Sequence, residues 1–192
     1  TVSMAGRKNV GTMEGDGSAW DTTCTELVRA YCENGVIGHI TDIICEYCSG
    51  LVPEQWLRAH QHTRNTPVLT LRTSDGLLRE IAAIRRSGHR GTSVLNWWVN
   101  FCMWTSCVSK TPWLYVNPGV ATTDGIDGGK VRFHYSYEGD DSLVALAPHN
   151  AKIQKAIEGR WRTAGFNMKL FHRAPGETAE FCGYHIKVGE DG

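Results

Sequence analysis

The sequence has no excess of charge of either sign, because its 20 lysines and arginines match its 20 aspartates and glutamates. This balance gives no global electrostatic signal for binding to nucleic acid or to a membrane surface. No apolar run is long enough to span a bilayer. Internal repeats, low-complexity segments and a recognisable signal peptide are also missing. Because the chain begins at Thr1 rather than Met, we expect it to be a piece of a longer polypeptide.

The seven cysteines do not form an obvious disulfide framework, since their number is odd and most lie in apolar or helical stretches. This pattern is typical of reduced thiols in a cytosolic protein. Cys45 and Cys48, with His60 and His62 downstream, are candidate zinc ligands, but their spacing fits no standard zinc finger. We therefore expect core or partly buried thiols at both positions, with zinc as the alternative.

The centre of the sequence predicts a β-hairpin with an acidic turn. Residues Val131–Tyr137 alternate between apolar and polar, and Ser142–Ala147 form a short apolar run. Between them, Glu138–Asp141 would form the turn, in which Gly139 can adopt a positive φ. Adjacent aspartates are typical of solvated turns, but they also supply the carboxylates that Mg²⁺ prefers.

A second pair of aspartates lies near the start of the chain. Residues Val10–Glu14 predict a strand that leads to Asp16, whose carboxylate could face a metal ion at the strand end. A helix capped by Asp21 or Thr22 is predicted to run to about Glu33 and to end at Asn34-Gly35, with Leu27, Val28 and Tyr31 on one face. In the plainer interpretation, Asp21 caps this helix.

A basic, glycine-containing loop precedes a long predicted helix. Residues 85–91 carry three arginines and one histidine, and apolar residues follow at helical spacing over Thr92–Val108. Backbone amides at such a helix start can bind phosphate, although a solvated turn capped by Thr92 is the alternative. Residues 111–130 are rich in Gly, Pro, Asn and Asp, and we predict a loop there.

The remaining segments complete a mixed pattern of helices and strands. Further helices are predicted over Gly35–Gln61 and from Asn150 to Ala164, and further strands over residues 66–72, 78–84, 166–171 and 179–188. The element order favours an α+β fold with an antiparallel, ferredoxin-like (split βαβ) sheet and helices on one face. In that fold Asp16 and the Asp140-Asp141 turn converge, and could hold two metal ions about 3.5–4 Å apart.

Three motifs resemble those of a known enzyme family. Asp16-x4-Asp21, Ser87-Gly88-x3-Thr92-x3-Asn96 and Gly139-Asp140-Asp141 strongly resemble motifs A, B and C of viral RNA-dependent RNA polymerases, in the family's order. Lys169 fits the place of the motif D lysine, and Glu180–Gly183 looks like the motif E hairpin. The resemblance covers nearly the whole chain, and its details are nearest to the tombusvirus- and flavivirus-like positive-strand polymerases.

The resemblance implies a metal-dependent centre for nucleotidyl transfer. Asp16, Asp140 and Asp141 would hold two Mg²⁺ ions, with Mn²⁺ as an alternative. Lys169 would act as the acid that protonates the leaving pyrophosphate, a role that requires a lysine near the leaving group. The reaction implied is template-directed addition of NTPs to the 3′-end of RNA.

The resemblance also implies roles in substrate selection. Asp21 and Asn96 would hydrogen-bond around the ribose 2′-hydroxyl of the incoming nucleotide, with Ser87 and Thr92 in support. Buried polar groups that a substrate lacking the hydroxyl leaves unpaired would reject deoxynucleotides. Gly88 would let its loop adapt to the templating base. In the motif E hairpin, Phe181 and Cys182 would grip the priming strand.

In domain terms, the resemblance implies a polymerase palm at residues 1–34, a fingers insertion at 35–84, and the palm again at 85–192. The basic fingertip motif and the thumb of family members have no counterpart in this sequence. We therefore expect a palm with part of the fingers that is inactive in isolation. The implied partners are template and nascent RNA, NTPs and other viral replicase components, in membrane-associated replication complexes of the host cytoplasm.

Three other readings of the motifs stay open. A reverse transcriptase shares the palm and an Asp-Asp turn, but it usually has a bulky residue where Asp21 stands. A non-catalytic RNA-binding module with a ferredoxin-like sheet would carry surface aromatics on its strands and would not need clustered acids. A metal-dependent nuclease would explain the acids but not the pattern that runs from Ser87 to Asn96.

Overall fold

The structure is a computed structural model that describes residues 10–48, 55, 69–81, 85, 92–117, 119–126, 128–174 and 177–187. The chain divides into two compact units. The sheet unit consists of Thr1–Trp20 with Ser93–Gly192, and the inserted unit consists of Asp21–Thr92. The predicted domain boundaries at residues 34 and 84 stay a prediction.

Runs of helices and runs of strands follow one another along the chain. In chain order they are β1 (Gly11–Gly17), α1 (Trp20–Thr23), α2 (Glu26–Val28), a π-helical turn (Arg29–Glu33), α3 (Asn34–Tyr47), β2 (Leu69–Arg72), β3 (Leu78–Ile81), α4 (Thr92–Val108), β4 (Ser109–Asn117), β5 (Val120–Gly125), β6 (Lys130–Glu138), β7 (Asp141–Ala147), α5 (Ala151–Thr163), β8 (Met168–Arg173), β9 (Thr178–Phe181) and β10 (Tyr184–Lys187).

The sheet unit is built on a six-stranded antiparallel sheet. Its strand order is β4-β5-β6-β7-β1-β8, so β1 lies between β7 and β8. A separate antiparallel hairpin, β9–β10, follows β8. In the inserted unit, β2 and β3 form a two-stranded hairpin. The fold is therefore α+β with an antiparallel sheet, which confirms the coarse fold class predicted from the sequence.

Aromatic side chains form the core between one face of this sheet and two helices. On α4, Phe101 packs against Tyr135 with ring centroids 5.3 Å apart. Trp104 meets Trp161 of α5 edge-on at 5.6 Å, and both tryptophans are buried. Burial of such large apolar surfaces is the main stabilising contribution available to this unit. No helix within the described residues has the length and hydropathy needed to cross a membrane.

Several local predictions are confirmed. The residues of β6 and β7 pair up to Glu138 and Asp141, so the turn lies where the sequence predicts it. Asn150 caps α5 by accepting a hydrogen bond from the backbone N–H of Ile153 at 3.0 Å. Gly165 follows the helix end with a φ of 84°. These are positions at which the local chemistry of a turn or cap decides the structure.

The predicted loop over residues 111–130 is wrong, because β4 and β5 occupy most of this segment. Strand β5 pairs with β6 in a register that includes Val120 with His134. Along β5, Ala121 and Thr123 are buried while their neighbours are partly exposed. The turn-forming residues of this segment cluster between the strands, and pairing with β6 overrides their local preference.

The predicted helix end at Asn34-Gly35 is also wrong. The chain continues without a break from the π-helical turn into α3, since a single glycine weakens a helix by only about 1 kcal/mol. The predicted apolar face of the first helix is not buried either, because Leu27 is 66% and Tyr31 82% exposed. The predicted continuation of the second helix to Gln61 falls mostly outside the described residues.

Candidate functional site

The two acidic motifs meet at the ends of neighbouring strands. Strand β1 pairs with β7 up to Gly15 and Ser142, and the next position on each strand is Asp16 and Asp141. The turn between β6 and β7 consists of Gly139 and Asp140, and Gly139 has a φ of 59°, as in a type II′ hairpin turn. The hairpin therefore brings both aspartates of the turn to the end of β1.

A glycine on β1 allows the turn to come close. A Cβ atom on Gly17 would lie 3.3 Å from the Asp140 Cβ and 3.4 Å from its Oδ2. A side chain at this position would therefore crowd the Asp140 carboxylate. Gly17 follows Asp16 directly. The end of β1 therefore carries the Asp16 carboxylate and also leaves space for the Asp140 carboxylate.

The carboxylates influence one another electrostatically. Partial burial raises the pKa of Asp141, and the negative charge of Asp16 raises it further. Two carboxylates that share a site favour partial protonation unless a cation neutralises them. This arrangement is typical of sites that bind a positively charged ligand, although structural clusters also produce it.

Lys169 lies directly across from Asp16 on the other neighbouring strand, β8. Its Nζ is 3.3 Å from the Asp16 Oδ2, and both side chains are about half exposed, at 57% and 52%. An ion pair this exposed adds little to the free energy of unfolding. Its main consequence is positional, because it places an ammonium group beside the clustered acids.

Asn100 is a site residue that the sequence analysis missed. It lies on α4, is fully buried, and donates from Nδ2 to the backbone carbonyl oxygens of Gly139, Asp140 and Asp141 at 3.3, 3.1 and 3.2 Å. The spacing of four residues between Asn96 and Asn100, one helical turn, was the signal that could have identified it.

Glu14 links the sheet to the β9–β10 hairpin. Its carboxylate accepts two hydrogen bonds from Arg173, each at 2.8 Å, and one from the backbone N–H of Glu180 at 2.7 Å. Burial acts to raise the pKa of Glu14, but these donors outweigh burial and the pKa is lowered. An alternating strand pattern does not distinguish such an anchor from any other polar strand residue, so the sequence analysis missed it.

Cys182 and Gly183 form the hairpin turn, with φ values of 52° and 75°. A non-glycine residue in this region is strained by about 1–2 kcal/mol. The thiol and the backbone N–H of Cys182 both donate hydrogen bonds to the Asp141 carboxylate. Burial raises the pKa of the Cys182 thiol, with a further contribution from the negative charge of Asp141. The hairpin is thus fastened to the sheet at both Glu14 and Asp141.

A cleft of about 320 Å³ lies between the strand ends and the hairpin. The side chains that line it include Glu14, Asp16, Asp141, Phe171, Phe181 and Cys182. Predicted metal ligands and predicted strand-gripping residues therefore share one depression in the sheet unit.

The remaining predicted site residues are placed as follows. Thr92 is the first residue of α4, and Asn96 is buried one turn before Asn100. Ser87 and Gly88 lie outside the described residues. Asp21 belongs to the inserted unit, where its backbone carbonyl accepts a hydrogen bond from the N–H of Arg85 at 3.0 Å. As the second residue of α1, Asp21 stands in the first turn of that helix rather than at its N-cap.

The donor set fits a hydrated Mg²⁺ ion better than a metal enclosed by protein. Among the described residues, no three His, Cys, Asp or Glu side chains stand close enough together to hold a metal. Mg²⁺ usually keeps several waters and takes one or two carboxylates together with substrate phosphates. The neighbouring carboxylates of Asp16 and Asp141, with Asp140 at the adjacent turn, supply the one or two carboxylates that Mg²⁺ needs from the protein.

The candidate zinc ligands are not gathered in the described part of the chain. Cys45 is partly exposed, Cys48 is exposed, and both are free thiols. His60 and His62 lie outside the described residues. Zinc at Cys45 and Cys48 therefore stays an untested alternative.

Comparison of the sequence with protein-family models and with curated proteins gives no match.

Proposed function

We propose that this chain is the catalytic palm of an RNA-dependent RNA polymerase, which adds NTPs to the 3′-end of RNA under the direction of an RNA template. The observation that carries this proposal is the meeting of Asp16 with the Asp140-Asp141 turn at adjacent strand ends. The motif resemblance assigns metal binding to these three residues, although Asp16 and Asp140 stand 124 positions apart in sequence.

The topology of the sheet unit supports the palm assignment. Without β4 and β5, its strands have the order β8-β1-β7-β6. Helix α4 lies between β1 and β6 in sequence, and α5 lies between β7 and β8. A split βαβ unit has this strand order and these connections. In this interpretation, β4 and β5 extend the sheet beyond the unit that carries the acids.

Asp16, Asp140 and Asp141 would hold two Mg²⁺ ions, with Mn²⁺ as a substitute, once their side chains draw together around the metal, because no three such side chains among the described residues stand close enough to hold one as they are. Metal bound there would activate the attacking 3′-hydroxyl and neutralise charge on the leaving pyrophosphate. The raised pKa of Asp141, caused first by burial and then by the negative charge of Asp16, supports this role, since a bound cation would favour the charged carboxylate.

Lys169 is proposed to donate the proton that the pyrophosphate takes up as it leaves. Its ammonium group lies 3.3 Å from the Asp16 carboxylate, so it stands beside the proposed reacting groups. A general acid must lie within hydrogen-bond reach of the group that it protonates. Lys169 would have to turn from Asp16 toward the nucleotide, which its half-exposed side chain permits.

Asn96, Thr92 and Asp21 are proposed to read the 2′-hydroxyl of the incoming nucleotide, with Ser87 in support and Gly88 beside the templating base. The amide of Asn96 is buried on α4, and a buried polar group that pairs with the 2′-hydroxyl would favour ribonucleotides. Phe181 and Cys182 would hold the priming strand at the edge of the cleft that the acids share.

The proposed partners are template and nascent RNA, NTPs and further viral replicase components, in membrane-associated replication complexes of the host cytoplasm. The fingers and thumb that the resemblance implies would supply most of the RNA contacts. We therefore propose that these 192 residues do not polymerise by themselves.

The test is RNA-templated incorporation by a polypeptide that carries this chain together with such flanking segments. We expect NTP incorporation with Mg²⁺, loss of at least 10²-fold in Asp140→Ala, and discrimination against dNTPs that weakens in Asn96→Ala. Lys152→Ala, an exposed change on α5, is the control that should retain activity. Preference for dNTPs in the unmodified protein would indicate a reverse transcriptase instead.

One observation keeps a second candidate function open. Phe171 is 47% exposed on β8, and Tyr184 is 74% exposed on β10. Exposed aromatics on strands can stack on RNA bases, as in non-catalytic RNA-binding modules. RNA binding that depends on Phe171, without incorporation of any nucleotide, would favour that function over the polymerase.

A further inference from the structure

The amide of Asn100 gathers three consecutive carbonyl groups of the acidic turn. Its Nδ2 lies within 3.3 Å of the carbonyl oxygens of Gly139, Asp140 and Asp141. An amide nitrogen has two hydrogens, so at least one of them is shared between two carbonyls. Carbonyl oxygens accept hydrogen bonds, so the Nδ2 group of Asn100, and not its Oδ1, must face the three of them. The surroundings therefore determine which way the amide is turned.

The location of Asn100 makes this contact rigid. The side chain is 0% exposed on the long helix α4. Its neighbours on the helix, Val99, Met103 and Trp104, are buried too. The Oδ1 of Asn100 is buried and finds no hydrogen-bond partner among the described residues. Burying an unpaired oxygen is unfavourable, so the side chain is placed here for its donors rather than for its acceptor.

A second contact joins the same helix to the same hairpin. The Ser93 hydroxyl donates to the Glu138 carboxylate at 3.0 Å, immediately before the turn. This contact is exposed and holds a side chain, whereas Asn100 holds the backbone from which both aspartates project. Asn100 can therefore fix the backbone positions of Asp140 and Asp141, from which the two carboxylates extend.

We propose that Asn100 is a positioning residue for metal binding, which holds the Gly139-Asp140-Asp141 backbone so that the two carboxylates can act together with Asp16. This inference rests on the proposed function, because it takes those three residues as the metal ligands. It adds a residue that does not touch metal or nucleotide. Residues that orient metal ligands typically change metal affinity by roughly 10- to 100-fold when they are mutated.

The experiment is a titration of the chain with Mn²⁺, followed by the loss of the free-ion EPR signal. Asn100→Leu keeps the approximate volume and removes both donors, and Asn100→Ser keeps one donor if the leucine variant does not fold. Thr105→Val is the matched control, since it removes another buried polar atom of α4, one for which the described part of the chain offers no hydrogen-bond partner. Each variant is also made in an Asp140→Asn background to form a double-mutant cycle.

We expect Asn100→Leu to raise the Mn²⁺ dissociation constant at least tenfold and Asn100→Ser to raise it less, with Thr105→Val unchanged. In the Asp140→Asn background only Asp141 is left for Asn100 to position, so the Asn100 substitutions should have a smaller effect there. Equal losses in Asn100→Leu and Thr105→Val, or an Asn100 effect of undiminished size without Asp140, would overturn the inference, because either result indicates general destabilisation.

Failure of the proposed function gives a different result. If Mn²⁺ binding by the unmodified chain is absent, or is unchanged in Asp140→Asn, then the proposed metal site does not exist. The inference about Asn100 is then overturned together with the proposed function. If the unmodified chain binds Mn²⁺ through Asp140 and Asn100→Leu binds it equally well, only the role of Asn100 is wrong.

Discussion

The described parts of the two units have different kinds of buried side chains. Among the described residues, nearly all buried apolar side chains belong to the sheet unit, where Trp104, Phe133, Ile157 and Trp161 are at most 1% exposed. In the described part of the inserted unit, the buried side chains are Cys24 and three polar or charged ones: Glu33, Thr41 and Arg85.

The inserted unit centres on a buried ion pair between Glu33 and Arg85, to which Arg29 adds a longer contact at 3.6 Å. Burial raises the pKa of the neighbouring Cys24 thiol to about 11. Leu27, Tyr31 and Tyr47 of the same unit are at least 66% exposed. Within the described residues, an apolar core lies in the sheet unit that carries the acidic site, whereas a buried ion pair is the main interior contact of the inserted unit.

The largest expected effect tests this contrast with one residue type in both units. Ile157 on α5 is 0% exposed and Ile43 on α3 is 42% exposed. Ile157→Ala should lower the free energy of unfolding by about 4 kcal/mol, because it leaves a cavity, and Ile43→Ala by less than about 1 kcal/mol. Chemical denaturation of both variants is the measurement. Equal losses would show that the two interiors do not differ.

The next effect concerns the buried ion pair of the inserted unit. Glu33→Gln leaves the Arg85 guanidinium buried without its carboxylate, which should cost about 3 kcal/mol. The control is Glu46→Gln on exposed surface of α3, which should change little. Amide hydrogen exchange within residues 21–48 would report the loss locally. Unchanged protection in Glu33→Gln would mean that the pair does not hold this unit together.

A smaller effect is expected at the anchor of the hairpin. Glu14→Gln should cost about 2 kcal/mol at neutral pH, since Glu14 is 7% exposed and accepts three hydrogen bonds. Because its pKa is lowered in the folded state, this contribution is present above the unfolded carboxyl pKa and is lost as the pH falls through the folded value.

The matched control for Glu14 is Asp124→Asn, which breaks the exposed pair with Lys130 in the same unit. We expect a change within about 0.5 kcal/mol there. Thermal unfolding of both variants between pH 3 and pH 8 separates the two cases. A pH-independent loss in Glu14→Gln would contradict the anchor role.

The smallest expected effect has the opposite sign. The pKa of Asp141 is raised in the folded state. Above that pKa the carboxyl group is charged and lowers the free energy of unfolding, whereas at low pH it is neutral and has no such effect. Asp141→Asn should therefore stabilise the metal-free chain slightly at pH 7, and the gain should vanish as the pH falls below the carboxyl range. Destabilisation at pH 7 would show that the hydrogen bonds from Cys182 matter more than the repulsion.

Sequence reasoning predicted the parts of the fold that local chemistry determines. The alternation in Val131–Tyr137, the glycine at position 139 and the cap at Asn150 each specify a turn, strand or helix start without help from distant residues. The hairpin over residues 178–187 was expected from the motif E resemblance of Glu180–Gly183, since the residues alone predicted a strand over 179–188. The predicted α+β element order placed Asp16 near the Asp140-Asp141 turn.

The parts that sequence reasoning missed depend on tertiary contacts. Strands β4 and β5 form because β6 offers an edge for pairing, which no window of residues 111–130 reveals. Asn100 and Glu14 hold their partners 39–41 and 159–166 positions away in sequence. The exposed Leu27 and Tyr31 follow a helical period, but the described residues do not bury them.

The most direct test of the central claim is a crystal structure of the chain soaked in Mn²⁺, with the metal located by anomalous scattering. The account predicts a peak beside the carboxylates of Asp16, Asp140 and Asp141, and its loss in Asp140→Asn. A peak at another site only, or no peak at these carboxylates under soaking conditions that load other Mn²⁺ sites, would contradict the claim that they form a metal-dependent catalytic centre.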